Sequence, residues 1–156
     1  LTNNPDMILG VQTADCVPIL LADPVTRWIG VLHAGWRGTA KGIVREGVRA
    51  LSHLEAPIER LVAVIGPCIC EKCYEVGLDV ARHFPESTSP IRGKEDKVLL
   101  DLGNAVEVSL LIVGVRGENI ERIPVCTRCD EANLFSYRRD GSATGRSLGF
   151  LSASPK

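Results

Sequence analysis

No stretch of this 156-residue chain approaches the ~20 consecutive apolar residues that a membrane-spanning helix needs, so no membrane partner is expected. The first residues, LTNNPD, lack the basic and apolar stretches of a secretory leader, and the expected location is the cytoplasm. There is no excess of either charge: 18 Lys and Arg against 19 Asp and Glu leave a formal net charge of −1. A general nucleic-acid binder shows a basic balance, so no nucleic acid is expected and a small-molecule partner is favoured. Internal repeats and low-complexity tracts are missing. Histidine is scarce, with three in the chain.

Hydrophobic residues at 45% and charged ones at 24% suit one ordinary globular core. Six cysteines could form three disulfides, but this core needs no staples and nothing points to an oxidising compartment. They read as thiols or metal ligands. Cys16 stands alone, Cys68, Cys70 and Cys73 fall in PCICEKCYEV, and Cys126 and Cys129 in PVCTRCDE. Two C-x-x-C pairs can hold structural zinc, yet more than fifty residues separate these two, beyond the usual ribbon spacing. Small buried thiols are the favoured reading.

MILGVQ, VPILLA and RWIGVLH are short apolar runs bounded by turn residues and read as strands. In GTAKGIVREGVRALSH, Ile43, Val44, Gly47, Val48, Leu51 and Leu54 recur at helical spacing with Lys41, Arg45, Glu46 and Arg49 between them. That predicts one amphipathic helix with Thr39 as N-cap. RLVAVIGP returns to a strand, a helix is expected over 75–84, and FPESTSPIRGKEDK reads as a loop. A further helix begins near Asp101, and ENIERIPV and RSLGFLSA look like late strands. Strands and helices alternate, but the first pair reads as a hairpin rather than a parallel crossover. The expected class is α+β, with mixed sheets flanked by helices.

The hairpin brings two chemically capable residues to matching ends. With Asp23 to Thr26 as its loop, Ala22 faces Arg27 and Cys16 faces His33. Opposed residues hold their Cβ atoms ~4.5–5.5 Å apart on one face, within reach of a shared metal ion. The plainer alternative is an edge cysteine near a histidine bonded to backbone. HAGWRGTAKG then runs from strand end to helix start, with Gly35 and Gly38 allowing close approach and Arg37 supplying a positive fork. That combination suits phosphate, and beside Cys16 and His33 it suggests catalysis; without that pair a tight turn with a solvated arginine would be the preferred reading. SYRRDGSATGR adds Arg138, Arg139 and Arg146.

In this order, TADCVPILLADP, VLHAGWRGTAKGIV, IGPCICEKCYEV, LDLGNAV and CTRCDEANLFSYRRDGSATGR resemble the YfiH-type family, labelled multicopper polyphenol oxidase or laccase domain and also described as purine nucleoside phosphorylases. The resemblance covers nearly the whole chain. It implies an α/β/β/α layered fold and a zinc site, copper in the oxidase description, made from one cysteine and two histidines. It further implies phosphorolysis of adenosine, inosine and methylthioadenosine, with some adenosine deamination. Carried over, Cys16 and His33 are metal ligands. The second family histidine belongs to a QVHG-like motif upstream of where this sequence begins, so residues 1–156 resemble the C-terminal part of a single family domain. His53 and His83 match no ligand position.

For such an enzyme the expected anion contacts are Arg37 and the Gly35 to Gly38 backbone, followed by Arg138 and Arg146. Two rivals remain at this level. Cys16 could be a nucleophile with His33 as its base in a metal-free hydrolase, or the chain could be a purine-binding module without turnover. With two ligands in place of three, weak zinc retention and negligible phosphorolysis are expected of the chain alone. A strand edge exposed at MILGVQ would favour a homo-oligomer.

Overall fold

The computed structural model describes residues 1–153. Its central sheet grows from the two apolar runs, β2 (Val17–Ala22) and β3 (Ile29–Ala34), which pair antiparallel. Helices α1 (Trp36–Ala40) and α2 (Ile43–Ser52) follow. The chain then returns as β4 (Val62–Ile65), antiparallel on the other side of β2.

Strand β5 (Glu75–Gly77), helix α3 (Leu78–Ala81) and the hairpin β6 (Thr88–Ile91) and β7 (Lys94–Leu100) come next. They form a second sheet in the order β5-β7-β6. Helix α4 (Leu102–Ile112) leads to β8 (Ile120–Arg122), which lies parallel to β4 and completes the mixed sheet β3-β2-β4-β8. After α5 (Tyr137–Asp140), strand β9 (Ser147–Ser152) pairs antiparallel with β1 (Ile8–Thr13) along all six residues.

Alternation explains the layers. Val17, Ile19 and Leu21 are fully buried on one face of β2, where Val44, Val48 and Leu51 of α2 and Leu102, Val106 and Leu110 of α4 join them in the core. The opposite face carries Pro18, against which the β1–β9 ribbon packs closely enough that a Cβ at Gly149 would lie 3.3 Å from Pro18 Cβ. Mixed sheets flanked by helices are thus present, as expected from the sequence. Strand β1 has β9 as its partner, while Ile8, Leu148 and Phe150 of this ribbon stay exposed.

Four local expectations need correction. Pro18, not Cys16, stands opposite His33. Asp23 joins the ladder, its N–H donating to the Trp28 carbonyl at 2.9 Å, and the turn occupies Pro24 to Arg27. The Asp23 carboxylate organises that turn by accepting the Val25 N–H at 3.1 Å and the Thr26 hydroxyl at 2.7 Å. The slip is two residues, so every side chain keeps its face. Second, the predicted first helix is two helices, broken at Gly42 with φ 83°; Thr39 donates its hydroxyl to the Gly35 carbonyl at 3.0 Å instead of capping. Third, residues 75–84 begin as a strand. Fourth, the expected loop is the β6–β7 hairpin, turning at Gly93 with φ 79°.

Candidate active site

Between β1 and β2 the chain makes an abrupt turn through TADC. Asp15 sits in the left-handed region at φ 87°, a conformation that aspartate tolerates better than most residues. Three bonds hold it there. Its carboxylate accepts the Thr127 hydroxyl and the Arg138 backbone N–H, both at 2.7 Å, and its carbonyl accepts the Ile69 N–H at 3.1 Å. The side chain is buried, and these contacts replace the solvation it loses.

The turn delivers Cys16 to a cavity of about 320 Å³ beside His33, Tyr74, Arg138 and Arg146, with Gln12 and Tyr137 also on its wall. Continuing the β2–β3 register by one step sets Cys16 opposite Gly35 and His33 diagonal to it on the same face. A Cβ at Gly35 would lie 3.0 Å from Cys16 Sγ, so the missing side chain makes room for the sulfur. Burial pushes the Cys16 thiol up, the Asp15 charge adds to the rise, and Arg146 opposes it. Burial, then the neighbouring Cys16, also raises the Tyr74 phenol against the pull of Arg138.

Cys16, His33, Arg138 and Arg146 therefore share one cavity, while Gly35 abuts the thiol. Arg37 and Gly38 do not line it. The Arg37 guanidinium lies 4.5 Å from the ring centroid of Trp36, and α1 is a five-residue helix, too short for the strong N-terminal field expected of a continuous helix. The Arg138 guanidinium lies 4.9 Å from the Tyr74 ring centroid and donates Nη1–H to the Glu75 carbonyl at 2.8 Å. Arg146 Nη1 reaches the Thr144 and Gly145 carbonyls at 3.0 and 2.8 Å. His53 follows α2 and His83 lies 6.5 Å from Trp36, ring centroid to centroid; neither lines the cavity.

Sequence reasoning passes over Asp15, Thr127 and Tyr74. The TADC turn does carry an acidic residue immediately before the cysteine, but its left-handed backbone and its partner 112 residues away emerge only on folding. Nor are the remaining cysteines simply small buried thiols. Cys68 is buried and its thiol is pushed up to about 12 by that burial. Cys70, Cys73, Cys126 and Cys129 instead gather at the surface with their sulfurs within 4.8 Å of one another. Among the described residues, this is the cluster of three or more His, Cys, Asp or Glu side chains close enough to hold a metal ion.

A family model described as multi-copper polyphenol oxidoreductase laccase matches residues 1–154. A purine nucleoside phosphorylase of Deinococcus radiodurans is 40% identical over 149 residues, covering 94% of this chain and 57% of that protein. An adenosine deaminase, RL5, from an unknown prokaryotic organism is 36% identical over 157 residues, covering 95% of this chain and 59% of its own length. The crystal structure of the hypothetical protein YfiH of Bacillus licheniformis superposes with a TM-score of 0.91 at 33% identity, over 96% of this chain and 59% of that one. The chain thus spans about three-fifths of the length of these relatives.

Proposed function

We propose that the cavity of this chain, which belongs to the family described as multi-copper polyphenol oxidoreductase laccase and is similar to a protein named purine nucleoside phosphorylase, serves zinc-dependent phosphorolysis of purine nucleosides, namely adenosine, inosine and methylthioadenosine. Adenosine deamination is the second activity, favoured by the relative that bears that name. The observation that carries the reading is the meeting of Cys16 and His33 in one cavity with two arginines. A thiol and an imidazole on one sheet face form a donor pair suited to zinc, with copper as the alternative. Bound there, the ion would supply Lewis acidity and lower the pKa of a water toward about 7.

The chain's own residues do the rest. Arg138 and Arg146 are anchored to carbonyls through Nη1, and the other donors of each fork can take up phosphate. Tyr137, exposed on the cavity wall, offers a ring face on which a purine can stack. Asp15 keeps the Cys16 backbone fixed through its three hydrogen bonds. Holding phosphate and nucleoside in reactive geometry supplies several kcal/mol toward the barrier.

The assay follows adenine release from adenosine, with and without phosphate, in protein carrying the full family length. Cys16→Ser and His33→Ala are each expected to lower turnover at least ~100-fold, the scale of losing a group that acts in the transition state. Arg146→Ala should chiefly raise KM for phosphate. Full activity in Cys16→Ser would overturn the reading.

A further inference from the structure

We propose that Cys70, Cys73, Cys126 and Cys129 form a second metal site, a structural zinc centre that clamps together the two loops supporting the Asp15 turn. This inference is independent of the functional reading above. The four sulfurs lie within 4.8 Å of one another, with Cys73 and Cys129 3.4 Å apart. A tetrahedral zinc with bonds of ~2.3 Å requires sulfur separations of ~3.8 Å, so small side-chain shifts close the set around one ion.

Packing does not explain this convergence. A cysteine serving as a small apolar side chain is buried, as Cys68 is; Cys70, Cys73 and Cys126 are half-buried and Cys129 is exposed. A single disulfide would account for two sulfurs, not four. Each C-x-x-C segment is a closed turn: the Cys73 N–H donates to the Cys70 carbonyl, and the Asp130 N–H to the Cys126 carbonyl, both at 3.0 Å. The Cys70 N–H also points at Cys126 Sγ at 3.3 Å, a donor placed to stabilise a metal-bound thiolate. Lys72 and Arg128, exposed within the two turns, offset the negative charge of four thiolates around a divalent ion.

The position of the cluster assigns its role. One turn follows Ile69, whose N–H holds the Asp15 carbonyl; the other contains Thr127, whose hydroxyl holds the Asp15 carboxylate. Parallel backbone pairing at Cys68 and Cys126, with the Thr127 N–H donating to the Cys68 carbonyl at 3.1 Å, already brings the loops side by side. Zinc locks that alignment at its open end and so positions the turn preceding Cys16. Tetrahedral sulfur coordination suits zinc or iron, and redox-inert zinc fits a purely structural clamp.

The 156-residue chain, purified under reducing conditions, is analysed for metal by mass spectrometry alongside Cys73→Ser/Cys129→Ser and Cys16→Ser/His33→Ala. The expected result is one tightly held zinc per chain that survives the Cys16/His33 change and disappears in the Cys73/Cys129 change. Chelation should lower Tm on the order of 10 °C, and cobalt added to the stripped chain should give intense sulfur-to-metal charge-transfer bands. If the double serine variant does not fold, alkylation of the wild-type chain decides: four thiols shielded with zinc and reactive after chelation support the site. Iron in place of zinc, zinc retained undiminished by a folded Cys73/Cys129 variant, no cobalt–thiolate band, or a metal-free chain two hydrogens lighter from a Cys73–Cys129 disulfide would each overturn it.

Discussion

Gly35 and Asp15 show how the cavity depends on residues that need never touch a substrate. Gly35 has φ −81° and ψ 167°, an extended backbone that any residue adopts without strain. A side chain there would crowd the Cys16 sulfur, which lies 3.0 Å from where a Cβ would sit. Gly35→Ala should therefore leave the fold intact, changing Tm by no more than a few degrees, while displacing the thiol by a few tenths of an ångström. Since ~1 Å of misplacement can cost 100-fold in rate, a loss of roughly tenfold in kcat/KM for the proposed adenosine phosphorolysis is expected in protein of full family length. An unchanged kcat/KM would show that Cys16 needs no such room. Asp15 acts from the other side: its buried carboxylate has both oxygens occupied by donors from distant segments, so the turn is set by tertiary contacts rather than by local sequence.

The break between α1 and α2 illustrates what sequence patterns can and cannot reveal among elements. Gly42 lies in the left-handed region at φ 83°, and an alanine there is strained by about 1–2 kcal/mol. Gly42→Ala should lower Tm by roughly 2–8 °C, without altering the α2 face that buries Val44, Val48 and Leu51; thermal unfolding of the pair checks it, and an unchanged Tm would mean that the helices can fuse. The apolar period of α2 was legible because packing demands it, whereas the glycine break was hidden within residues that also satisfy a continuous helix. The same distinction holds for strands. The face of Cys16 and His33 was legible from alternation, but the register depended on the Asp23 carboxylate organising its turn. The β6–β7 hairpin was missed because Lys94 to Lys97 are polar and exposed, leaving only Val98 to Leu100 to mark a strand. The cysteine cluster was the least legible feature. Its two halves meet because β4 and β8 run parallel, so that both following loops leave the sheet at the same end, a consequence of topology that no spacing rule encodes.

Across the whole molecule, one ion pair ties the hairpin tip to the segment entering β4. Asp23 is buried within the turn between β2 and β3, and Arg60 reaches it with Nε at 3.1 Å and Nη2 at 2.6 Å. The Arg60 bonds hold the Asp23 carboxyl well below the usual carboxylate range, against its burial and with help from Thr26 and Val25. Arg27, from the same turn, donates to the Ala153 carbonyl at 3.2 Å just beyond β9, so the turn joins three segments distant in sequence. A depressed carboxylate contributes stability that is fully present above its unfolded pKa of ~3.9 and is lost as pH falls toward the folded value. Asp23→Asn removes the charge while retaining a side chain of similar shape. It should cost about 2 kcal/mol at pH 7, the scale of charge-assisted hydrogen bonds, equivalent to a fall in Tm of roughly 4–8 °C. Between pH 4 and pH 2 the wild-type chain should lose much of this advantage, and the gap between the two Tm curves should narrow as pH falls. A gap that stays constant across this range would show that the carboxylate's charge is not what fastens the hairpin to the rest of the fold.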